Sequence, residues 1–482
     1  MPRSIALVLA LVGLAPACGA PEPTAPPSLA LIVIDTLRAD AVSSYGGPRR
    51  STPNLDRLAA KGLVYRQAYA PAPWTLPSHA TLLTGVGPAE HGVGLHGRMA
   101  LPDTLTTLAE RLSEAGYATA GFSENPVVSH DFGFARGFDH FGSVPLEDVS
   151  ARDRGSATRD FDAVARIGAW LERRPPEKPF FLFVNLFDAH DPYELRAMNP
   201  FLPEGTSPER ARQVLEGPGR MLEMCRRLPG EDTLAVLRGL YLGDVAAADA
   251  KLREIVELLQ TAAAGSDLVT VVTSDHGEHL GEHRLLGHEF SVRNVLLHVP
   301  LVVHGLPGVR PATLDTPVAL ADVPASLLSW AGAPGAGRSL PTRNDADADP
   351  RTLLAAYSDA APVTPDRARP VVELNSRKIN QQRVWCVGAE PVFGDMATAI
   401  RAPHKLIWYQ NAPAQLYDLS EDPGEQRDRI AERPALAAEL SRELDAFREA
   451  VGWTGEAPAP PPERDSEDVE ASRVPGYLDG VD

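Results

Sequence analysis

The chain contains 482 residues, of which 44% are apolar and 23% are charged, and its formal net charge is -18. This length exceeds the size at which one hydrophobic core stops growing, so we expect a large domain with a smaller companion. The acidic balance argues against a broad nucleic-acid surface, because binding a polyphosphate requires a basic stripe. An anionic substrate must therefore be held locally, by a metal ion or by a few donors.

The first 18 residues have the layout of a signal peptide, with Arg3, an apolar run from Ile5 to Leu14 and then small residues. The apolar run is too short to span a bilayer. We therefore expect export by a bacterium, to the periplasm, the outer membrane or the medium. Cys18 stands where a bacterial lipoprotein carries its lipid, and the sequence leaves lipidation and plain secretion as equal alternatives. A lipid on Cys18 is the only membrane attachment that we expect.

The large domain is predicted to begin with a strand and two helices. The aliphatic run Leu29 to Ile34 predicts a strand buried on both faces of a parallel sheet. Residues 52–62 predict a helix that begins with a Thr-Pro pair and stops at a glycine. A second helix is predicted after Pro102, with an apolar stripe and an end at Gly116.

The strand pattern recurs three times, at Phe180 to Phe187, Leu268 to Thr273 and Val299 to Val303, with helical stretches such as Val245 to Leu259 between. This alternation predicts an α/β fold with a large, mostly parallel sheet flanked by helices. Ligands of such sheets bind beyond the carboxyl ends of the strands. Acidic or histidine side chains follow three of the four predicted strands there, namely Asp35, Asp188 with His190, and Asp275 with His276.

We predict the following division of the chain: a signal peptide at residues 1–18, a Pro/Ala-rich tether at 19–28, a large domain at 29–335, a smaller α+β subdomain at 336–455 and a disordered acidic tail at 456–482. The subdomain contains strand-like runs around Val371 and at Lys405 to Tyr409, and a helix from Pro434 to Val451. Cys225 and Cys386 are too few for a Cys-rich metal cluster, and a bridge between them stays open.

Residues 273–279, Thr-Ser-Asp-His-Gly-Glu-His, place acids and imidazoles directly after a predicted strand. Asp275 and His276 can both turn onto one metal ion, because a strand-end loop is not bound by strand alternation. A ligand set of Asp and His favours Zn or Mn over Ca, which prefers oxygen. The alternative is a solvated loop that happens to be rich in histidine.

Residues 73–85 predict a helix that starts just after Thr75 and stops at Gly85. Amide groups at a helix start favour an anion, so a tetrahedral oxyanion at Thr75 would be stabilised there. A bound divalent ion would also activate the Thr75 hydroxyl. The alternative is that Thr75 only caps the helix.

Six segments in this order resemble the sulfatase family of the alkaline-phosphatase-like superfamily, over about residues 29–455. They are Ile-Asp-Thr-Leu-Arg-Ala-Asp (34–40), Thr-Pro-Asn-Leu-Asp-Arg-Leu-Ala (52–59), the window 73–85, Phe-Asp-Ala-His-Asp-Pro-Tyr (187–193), Ser-Asp-His-Gly-Glu (274–278) and Leu-Tyr-Asp-Leu-Ser-Glu-Asp-Pro-Gly-Glu (416–425). The resemblance implies a metal ion held by Asp35, Asp275 and His276, with Thr75 at the nucleophile position completing the shell.

Three positions depart from the family pattern. Sulfatases carry a Cys or Ser that is oxidised to formylglycine, then Pro and Arg, where this chain has Thr75, Pro77 and His79. Thr36 stands where many sulfatases have a second Asp ligand. Residues 123–125, Ser-Glu-Asn, stand where the family's Gly-Lys-Trp-His would contact sulfate. Threonine cannot give formylglycine, so these departures argue against ordinary aryl sulfatase chemistry.

Threonine at this position is instead similar to nucleotide pyrophosphatase-like phosphodiesterases and to bacterial phosphoethanolamine or glycerophosphate transferases. In those transferases a His stands twelve positions after the metal-binding one, as His288 does here (276 + 12). His190 resembles the family's His that contacts the transferred group or a second metal. We therefore assign substrate-binding and catalytic roles to His190 and His288, beside Thr75, with a second ion there as an open alternative.

The sequence thus predicts an exported, metal-dependent hydrolase of a small-molecule or cell-envelope phosphate or sulfate ester, with phosphodiesters favoured. Three alternatives stay open: a cell-envelope phosphotransferase, a true sulfuric ester hydrolase and an inactive binding homologue. We expect His79, His279 and His283 to act at most through the ligands, and Arg38 and Asp40 to fix the loop after Asp35. The sequence makes no prediction of oligomeric state.

Overall fold

The structure is a computed structural model that describes residues 25–145, 161–216, 229–288, 290–344, 351–358 and 394–453. The predicted signal peptide with Cys18, both other cysteines, the run around Val371 and the acidic tail lie outside the described residues. Within those ranges, the helices lack the combination of length and apolar composition that crossing a membrane requires.

The strands of the described residues are, in chain order, β1 (Ser28–Ile34), β2 (Gly62–Tyr65), β3 (Ala68–Tyr69), β4 (Ala118–Ser123), β5 (His140–Ser143), β6 (Phe180–Leu186), β7 (Leu268–Thr273), β8 (His279–Leu280), β9 (Leu286–Gly287), β10 (His298–Val299), β11 (Leu301–His304), β12 (Ala312–Leu314), β13 (Val318–Ala319), β14 (Leu353–Tyr357), β15 (Met396–Arg401), β16 (His404–Tyr409) and β17 (Gln415–Asp418). Ser28, which we assigned to the tether, is the first residue of β1.

The helices of the same residues are α1 (Pro53–Ala59), α2 (Thr75–Thr84), α3 (Pro88–His91), α4 (Leu108–Glu114), α5 (Ala163–Arg173), α6 (Pro208–Glu216), α7 (Glu231–Ala262), α8 (Asn294–Leu297), α9 (Asp322–Trp330) and α10 (Pro434–Ala450). The predicted helix at Val245 to Leu259 is the second half of α7, and the one at residues 52–62 is the shorter α1.

The large sheet has eight strands in the spatial order β12-β2-β11-β7-β1-β6-β4-β5. β1 lies at its centre and pairs in parallel with β6 and β7, while β11 runs antiparallel to β7 and β2. The fold prediction of a large, mostly parallel sheet is therefore confirmed. This topology brings the carboxyl ends of β1, β4, β6 and β7 to one edge of the sheet.

Alternate side chains of β1 enter two different cores, as the pleat of a doubly covered strand requires. Leu29, Leu31 and Val33 pack with α2, α4 and α9 on one face of the sheet. Ala30, Ile32 and Ile34 pack with α1, α5 and α7 on the other face. The aliphatic run therefore forms a strand because both faces are buried under helices.

A four-stranded antiparallel sheet, β14-β15-β16-β17, forms the smaller C-terminal part. One face contributes Leu353, Ile400 and Ile407 to the core under α2 and α4. The opposite face packs against Leu440 and Leu444 of α10 in a separate cluster. The predicted α+β character of this part is confirmed for the described residues.

Two predicted elements were placed wrongly. The run Val299 to Val303 is not one parallel strand, because Pro300 divides it into β10, which pairs with β3, and the antiparallel β11. Proline lacks the N–H that a central strand must donate. The helix after Pro102 begins only at Leu108, since Thr107 and Glu110 form a reciprocal capping box at its start.

Candidate active site

Three buried side chains that could hold a metal ion meet at the carboxyl edge of the large sheet. Asp35 follows β1, and Asp275 and His276 follow the neighbouring β7. Each has a ligand atom within 4.8 Å of the others, and all three side chains are fully buried. Because β1 and β7 run in parallel side by side, their end loops face the same space.

Hydrogen bonds turn one oxygen of each carboxylate toward this space. Asn125 donates through Nδ2 to Oδ2 of Asp35 at 2.8 Å, and Oδ1 of Asp35 has no hydrogen-bond partner. The backbone N–H of His276 donates to Oδ1 of Asp275 at 2.9 Å, and Oδ2 of Asp275 has no partner. His276 Nδ1 donates to the Gly277 carbonyl at 2.9 Å, so its Nε2 carries the lone pair.

The electrostatics of this cluster fit a divalent cation. Burial, and then the Asp35 carboxylate, raise the pKa of Asp275 well above its usual range, which shows how costly two unneutralised charges are here. Burial lowers the pKa of His276, so the ring is the neutral form that binds metals. His276 Nε2 lies 3.3 Å from Asp275 Oδ2 and 3.9 Å from Asp35 Oδ1. The unpartnered oxygens and this nitrogen form a suitable metal-ligand set.

Gly277 lets the chain turn sharply after the last of these ligands. A Cβ at this position would lie 2.0 Å from the carbonyl oxygen of Val295, a distance that real side chains do not reach. The Gly277 N–H donates to the Leu296 carbonyl at 2.7 Å. The loop that carries His276 is thereby held against α8 by the backbone alone.

Thr75 is the first residue of α2, not the residue before it as we predicted. Trp74 occupies the N-cap position, and the structure shows no side-chain cap bond there. The Thr75 hydroxyl lies 3.4 Å from Nε2 of His276, the nitrogen that faces the metal-ligand oxygens. The alternative that Thr75 is the helix cap is therefore wrong, and its hydroxyl lies beside the ligand set.

His79 lies one turn further along α2, underneath the cluster. Its Nδ1 is 3.0 Å from the Thr75 carbonyl and 3.4 Å from Oδ2 of Asp275, and the ring is fully buried. Burial lowers its pKa, which favours a neutral ring at this position. His79 thus contacts a ligand rather than the Thr75 hydroxyl, as expected for a supporting residue.

His190 and His288 form a continuous histidine surface with His276. The ring centroids of His276 and His288 are 4.5 Å apart, and those of His190 and His288 are 5.1 Å apart. His190 stacks on Phe187 with a centroid distance of 4.2 Å. His288 Nδ1 lies 3.4 Å from a carboxylate oxygen of the buried Glu278. The fold thus brings both predicted histidines to the ligand set, although their roles stay predictions.

The other histidines of this loop lie away from the ligands. His279 is fully buried, with no hydrogen-bond partner for either ring nitrogen, and His283 Nε2 donates to the Gly424 carbonyl at 2.9 Å. Arg38 pairs with Asp40 at 2.7 Å and donates to the Glu278 carbonyl at 3.0 Å. Arg38 therefore links the loop after β1 to the loop after β7, in agreement with the structural role that we predicted.

Two departures from the family pattern have structural roles that we did not foresee. Asn125 donates to the Asp35 carboxylate, and Thr36 donates from its hydroxyl toward the Ala189 carbonyl at 2.8 Å. Thr36 adopts a φ of 57°, a left-handed conformation that a β-branched residue rarely takes. The sequence signal for Asn125 was available, because it follows strand β4 at the same edge of the sheet.

The large, mostly parallel sheet and the small antiparallel C-terminal sheet match the alkaline-phosphatase-like class of fold. The Sulfatase family model matches residues 27–333, and the chain belongs to this family. The family resemblance predicted from the six segments is therefore confirmed. Members of the family depend on a metal ion, typically calcium.

Individual relatives are distant. Delta 4,5-hexuronate-2-O-sulfatase of Bacteroides thetaiotaomicron is 24% identical over 333 residues, which cover 62% of this chain and 66% of that protein. N-acetylgalactosamine-6-sulfatase of Homo sapiens is 29% identical over 270 residues, covering 46% of this chain and 50% of that protein. These alignments span between half and two thirds of the two relatives.

A solved structure shares the architecture. The phosphonate monoester hydrolase of Agrobacterium radiobacter superposes with a TM-score of 0.65 at 21% identity, covering 88% of this chain and 96% of that one. At this identity the likeness establishes the fold. Proteins named for sulfate esters and for phosphonate esters thus share the fold of this chain.

Proposed function

We propose that this protein is a metal-dependent ester hydrolase that acts on phosphodiesters or related phosphate esters, with Thr75 as its nucleophile. One observation carries the proposal. The Thr75 hydroxyl lies 3.4 Å from His276 Nε2, beside two buried carboxylate oxygens that have no hydrogen-bond partner. A hydroxyl in this position is placed to act on the same ester that a bound metal ion would polarise.

Asp35, Asp275, His276 and Thr75 would hold the ion. When bound, a divalent ion supplies Lewis-acid chemistry, because its charge lowers the pKa of a nearby hydroxyl and polarises a phosphoryl oxygen. The nitrogen ligand favours zinc or manganese over the calcium that is typical of the family. His190 and His288 provide nitrogen ligands for a second ion, which we keep as an alternative to direct contact with substrate.

The protein groups then perform two displacements. Thr75 Oγ1 loses its proton to solvent and forms a bond to phosphorus, while the bond from phosphorus to the leaving oxygen breaks. One of His190 and His288 gives the leaving oxygen its proton and regains a proton from solvent, while the other binds an oxygen that stays on phosphorus. Water then attacks the phosphothreonine, which returns Thr75 as a hydroxyl and releases the phosphate product.

The surrounding charges favour an ester with a low negative charge. Arg38 is paired with Asp40 and Glu282, and Lys251 is paired with Glu124 and Asp188. Because carboxylates already neutralise these two cations, the cations do not add to the positive charge that a bound ion would bring beside Thr75. A phosphodiester carries one negative charge and suits a site whose positive charge would come from a bound ion. A small-molecule or cell-envelope diester is the proposed substrate class.

A substrate panel tests the proposal directly. Metal-loaded protein is assayed on matched nitrophenyl esters, namely a sulfate, a phosphate monoester and a phosphodiester. The proposal predicts the highest kcat/KM for the diester. Preference for the sulfate would instead favour sulfuric ester hydrolysis, and release of nitrophenol that rises with added acceptor alcohol would favour the phosphotransferase.

We also propose export, with a lipid on Cys18 or plain secretion as the two routes. The proposal rests on the basic residue, apolar run and small residues at positions 1–18. Labelling of bacterial cells with palmitate, comparing the wild type with Cys18→Ser, distinguishes the routes. Label that depends on Cys18 supports lipidation, while unlabelled protein in the medium supports secretion, and unlabelled protein in the cytoplasm would contradict export.

A further inference from the structure

Helix α7 presents one face, which carries three polar side chains, to the loops that carry the site. Tyr241, Asp244, Ala248 and Lys251 follow one another at spacings of 3, 4 and 3 residues, which places them on one face of a helix. The Tyr241 hydroxyl accepts from the Arg38 N–H at 2.9 Å and donates to the Thr36 carbonyl at 3.0 Å. This face of α7 therefore contacts the loop after β1.

The same face reaches the loop after β6. Asp244 accepts from the backbone N–H of Glu194 at 2.7 Å and pairs with Arg196 at 2.6 Å. Lys251 Nζ lies 2.6 Å from a carboxylate oxygen of Asp188. Asp188 is two residues before His190, so Lys251 holds the chain directly beside that histidine.

Lys251 also binds the loop after β4, through the nearly buried Glu124. Its Nζ donates to the two carboxylate oxygens of Glu124 at 2.7 and 2.9 Å. Glu124 in turn accepts from the backbone N–H of Phe187 at 3.0 Å. The Phe187 ring is the surface on which His190 stacks. Two paths, one through Asp188 and one through Glu124, thus connect Lys251 to the placement of His190.

The connection depends on the positive charge of Lys251, because that charge stabilises two buried or partly buried carboxylates. Burial raises the pKa of Glu124 to about 7, while the charge of Lys251 opposes the rise. Removing one partner of a buried ion cluster leaves the others uncompensated and repelling, which is strongly unfavourable. Without Lys251, the Glu124 and Asp188 carboxylates are expected to separate or to take up a proton, and either change moves the segment 187–190.

We propose that Lys251 is a positioning residue for His190, which acts through Glu124, Asp188 and the Phe187 ring. This inference rests on the proposed function, in which His190 contacts the transferred group. Lys251 itself touches no reacting atom. Its contribution is to hold the imidazole where it can bind or protonate the ester.

A double-mutant cycle on kcat for diester hydrolysis tests the inference. Lys251→Met is expected to lower kcat about tenfold, a part of the loss expected for removal of a general acid or base. In a His190→Ala background, Lys251→Met should change kcat by less than about twofold, because the residue through which it acts is gone. Lys251→Arg should restore most of the rate, since it keeps the charge.

Control variants separate positioning from stability. Arg253→Met removes an exposed ion pair on the same helix and should leave kcat unchanged. Asp188→Asn breaks only one of the two paths and should therefore lower kcat by less than Lys251→Met does. If Lys251→Met does not fold, Asp188→Asn still tests the inference. Equal losses from Lys251→Met in the wild-type and His190→Ala backgrounds would overturn the inference.

A second readout does not depend on the proposed activity. Ring resonances of His190, identified by their loss in His190→Ala, are compared between the wild type and Lys251→Met by ¹⁵N-histidine NMR. The inference predicts that they shift while those of His304, on β11, do not. Unchanged His190 resonances would overturn the positioning role. If His190→Ala retains the wild-type kcat while the resonances shift, the proposed chemistry fails and the positioning contact stands.

Discussion

At the scale of single residues, two carboxylate oxygens without partners decide what this site can be. Oδ1 of Asp35 and Oδ2 of Asp275 are buried, and donors occupy the other oxygen of each group. An unpaired buried charge costs several kcal/mol unless it is neutralised. A cation held by both groups would remove that cost, so binding of the ion and stability of the fold should be coupled.

Chelation is therefore expected to lower the melting temperature. An ion present at about 100 times its Kd stabilises a folded protein by about 2.7 kcal/mol, which corresponds to roughly 3 °C in Tm for a chain of this length. Without the ion, the raised pKa of Asp275 makes the folded state bind a proton that the unfolded chain releases, so stability falls as pH rises. The Tm difference between loaded and chelated protein should then be larger at pH 8 than at pH 5.

Differential scanning calorimetry measures the Tm of the chelated protein and of protein to which zinc, manganese or calcium is added back separately. Asp275→Asn should lose the metal-dependent shift, whereas Asp103→Asn, which alters an exposed carboxylate, should keep it. A calcium shift larger than the zinc and manganese shifts would contradict our assignment of the ion. Equal Tm values with and without chelator would contradict the metal site itself.

The sequence predicted these three candidate ligands because each comes within three residues of a strand end. The strand pattern and the family segments were enough to predict Asp35, Asp275 and His276. Asn125 was not predicted to act at the metal site, although it follows a strand of the same sheet, because the resemblance placed it among residues that contact sulfate in the family. Its function as the donor that orients Asp35 becomes evident only when the partner is seen across 90 positions of the chain.

At the scale of elements, α7 stabilises loops that the sequence does not connect to it. Asp249 accepts from the backbone N–H groups of Asn54 and Leu55 at 2.9 and 2.8 Å. These are amides of the first turn of α1, which has no side-chain cap from Thr52. A carboxylate from a distant helix thus satisfies donors that a local cap would otherwise bind.

Asp249→Ala should destabilise the protein by about 2 kcal/mol, because one buried and one partly buried N–H group lose their acceptor. Urea denaturation followed by circular dichroism measures the change. Asp232→Ala, at the exposed start of the same helix, should change stability by only about 0.5 kcal/mol. Equal effects of the two variants would show that Asp249 does not cap α1.

Helix boundaries were predicted correctly where a proline or a glycine marks them. Pro53 and Gly85 mark the start of α1 and the end of α2, and Gly85 has the left-handed φ of 81° that ends such helices. The start of α4 was missed because the apolar stripe extends to Leu105, upstream of the Thr107 cap. Periodicity alone therefore extended the helix too far.

At the scale of the whole molecule, a buried ion pair joins the small sheet to the segment that follows His288. Lys405 Nζ lies 2.8 Å from Glu425 and donates to the Val292 carbonyl at 2.7 Å. Glu425 accepts from the Asn294 N–H at 2.6 Å. The pattern of Lys405 to Tyr409 predicted the strand, but not that its lysine would be fully buried, because the partners lie far away in the chain.

The pH dependence of stability should report this pair. Burial lowers the pKa of Lys405 to about 8, below its ordinary value of 10.5. Between these values the folded state has lost a proton that the unfolded chain keeps, so stability rises with pH in this window. Relative to Lys405→Met, the wild type should gain up to about 3 kcal/mol between pH 8 and 10.5.

Urea unfolding at several pH values measures that gain. Lys61→Met, which removes an exposed lysine, serves as the control and should follow the wild-type pH dependence. Parallel stability curves for the wild type and Lys405→Met would contradict a lowered pKa at this position.

The most direct measurement of the central claim is the rate of phosphodiester hydrolysis by metal-loaded wild type, Thr75→Ala and His276→Ala. The account predicts that Thr75→Ala loses at least about a thousandfold in kcat, because the covalent step has no nucleophile. His276→Ala should lose activity to a similar degree through the metal site. Diester hydrolysis at the wild-type rate in Thr75→Ala would contradict the assignment of Thr75 as the nucleophile.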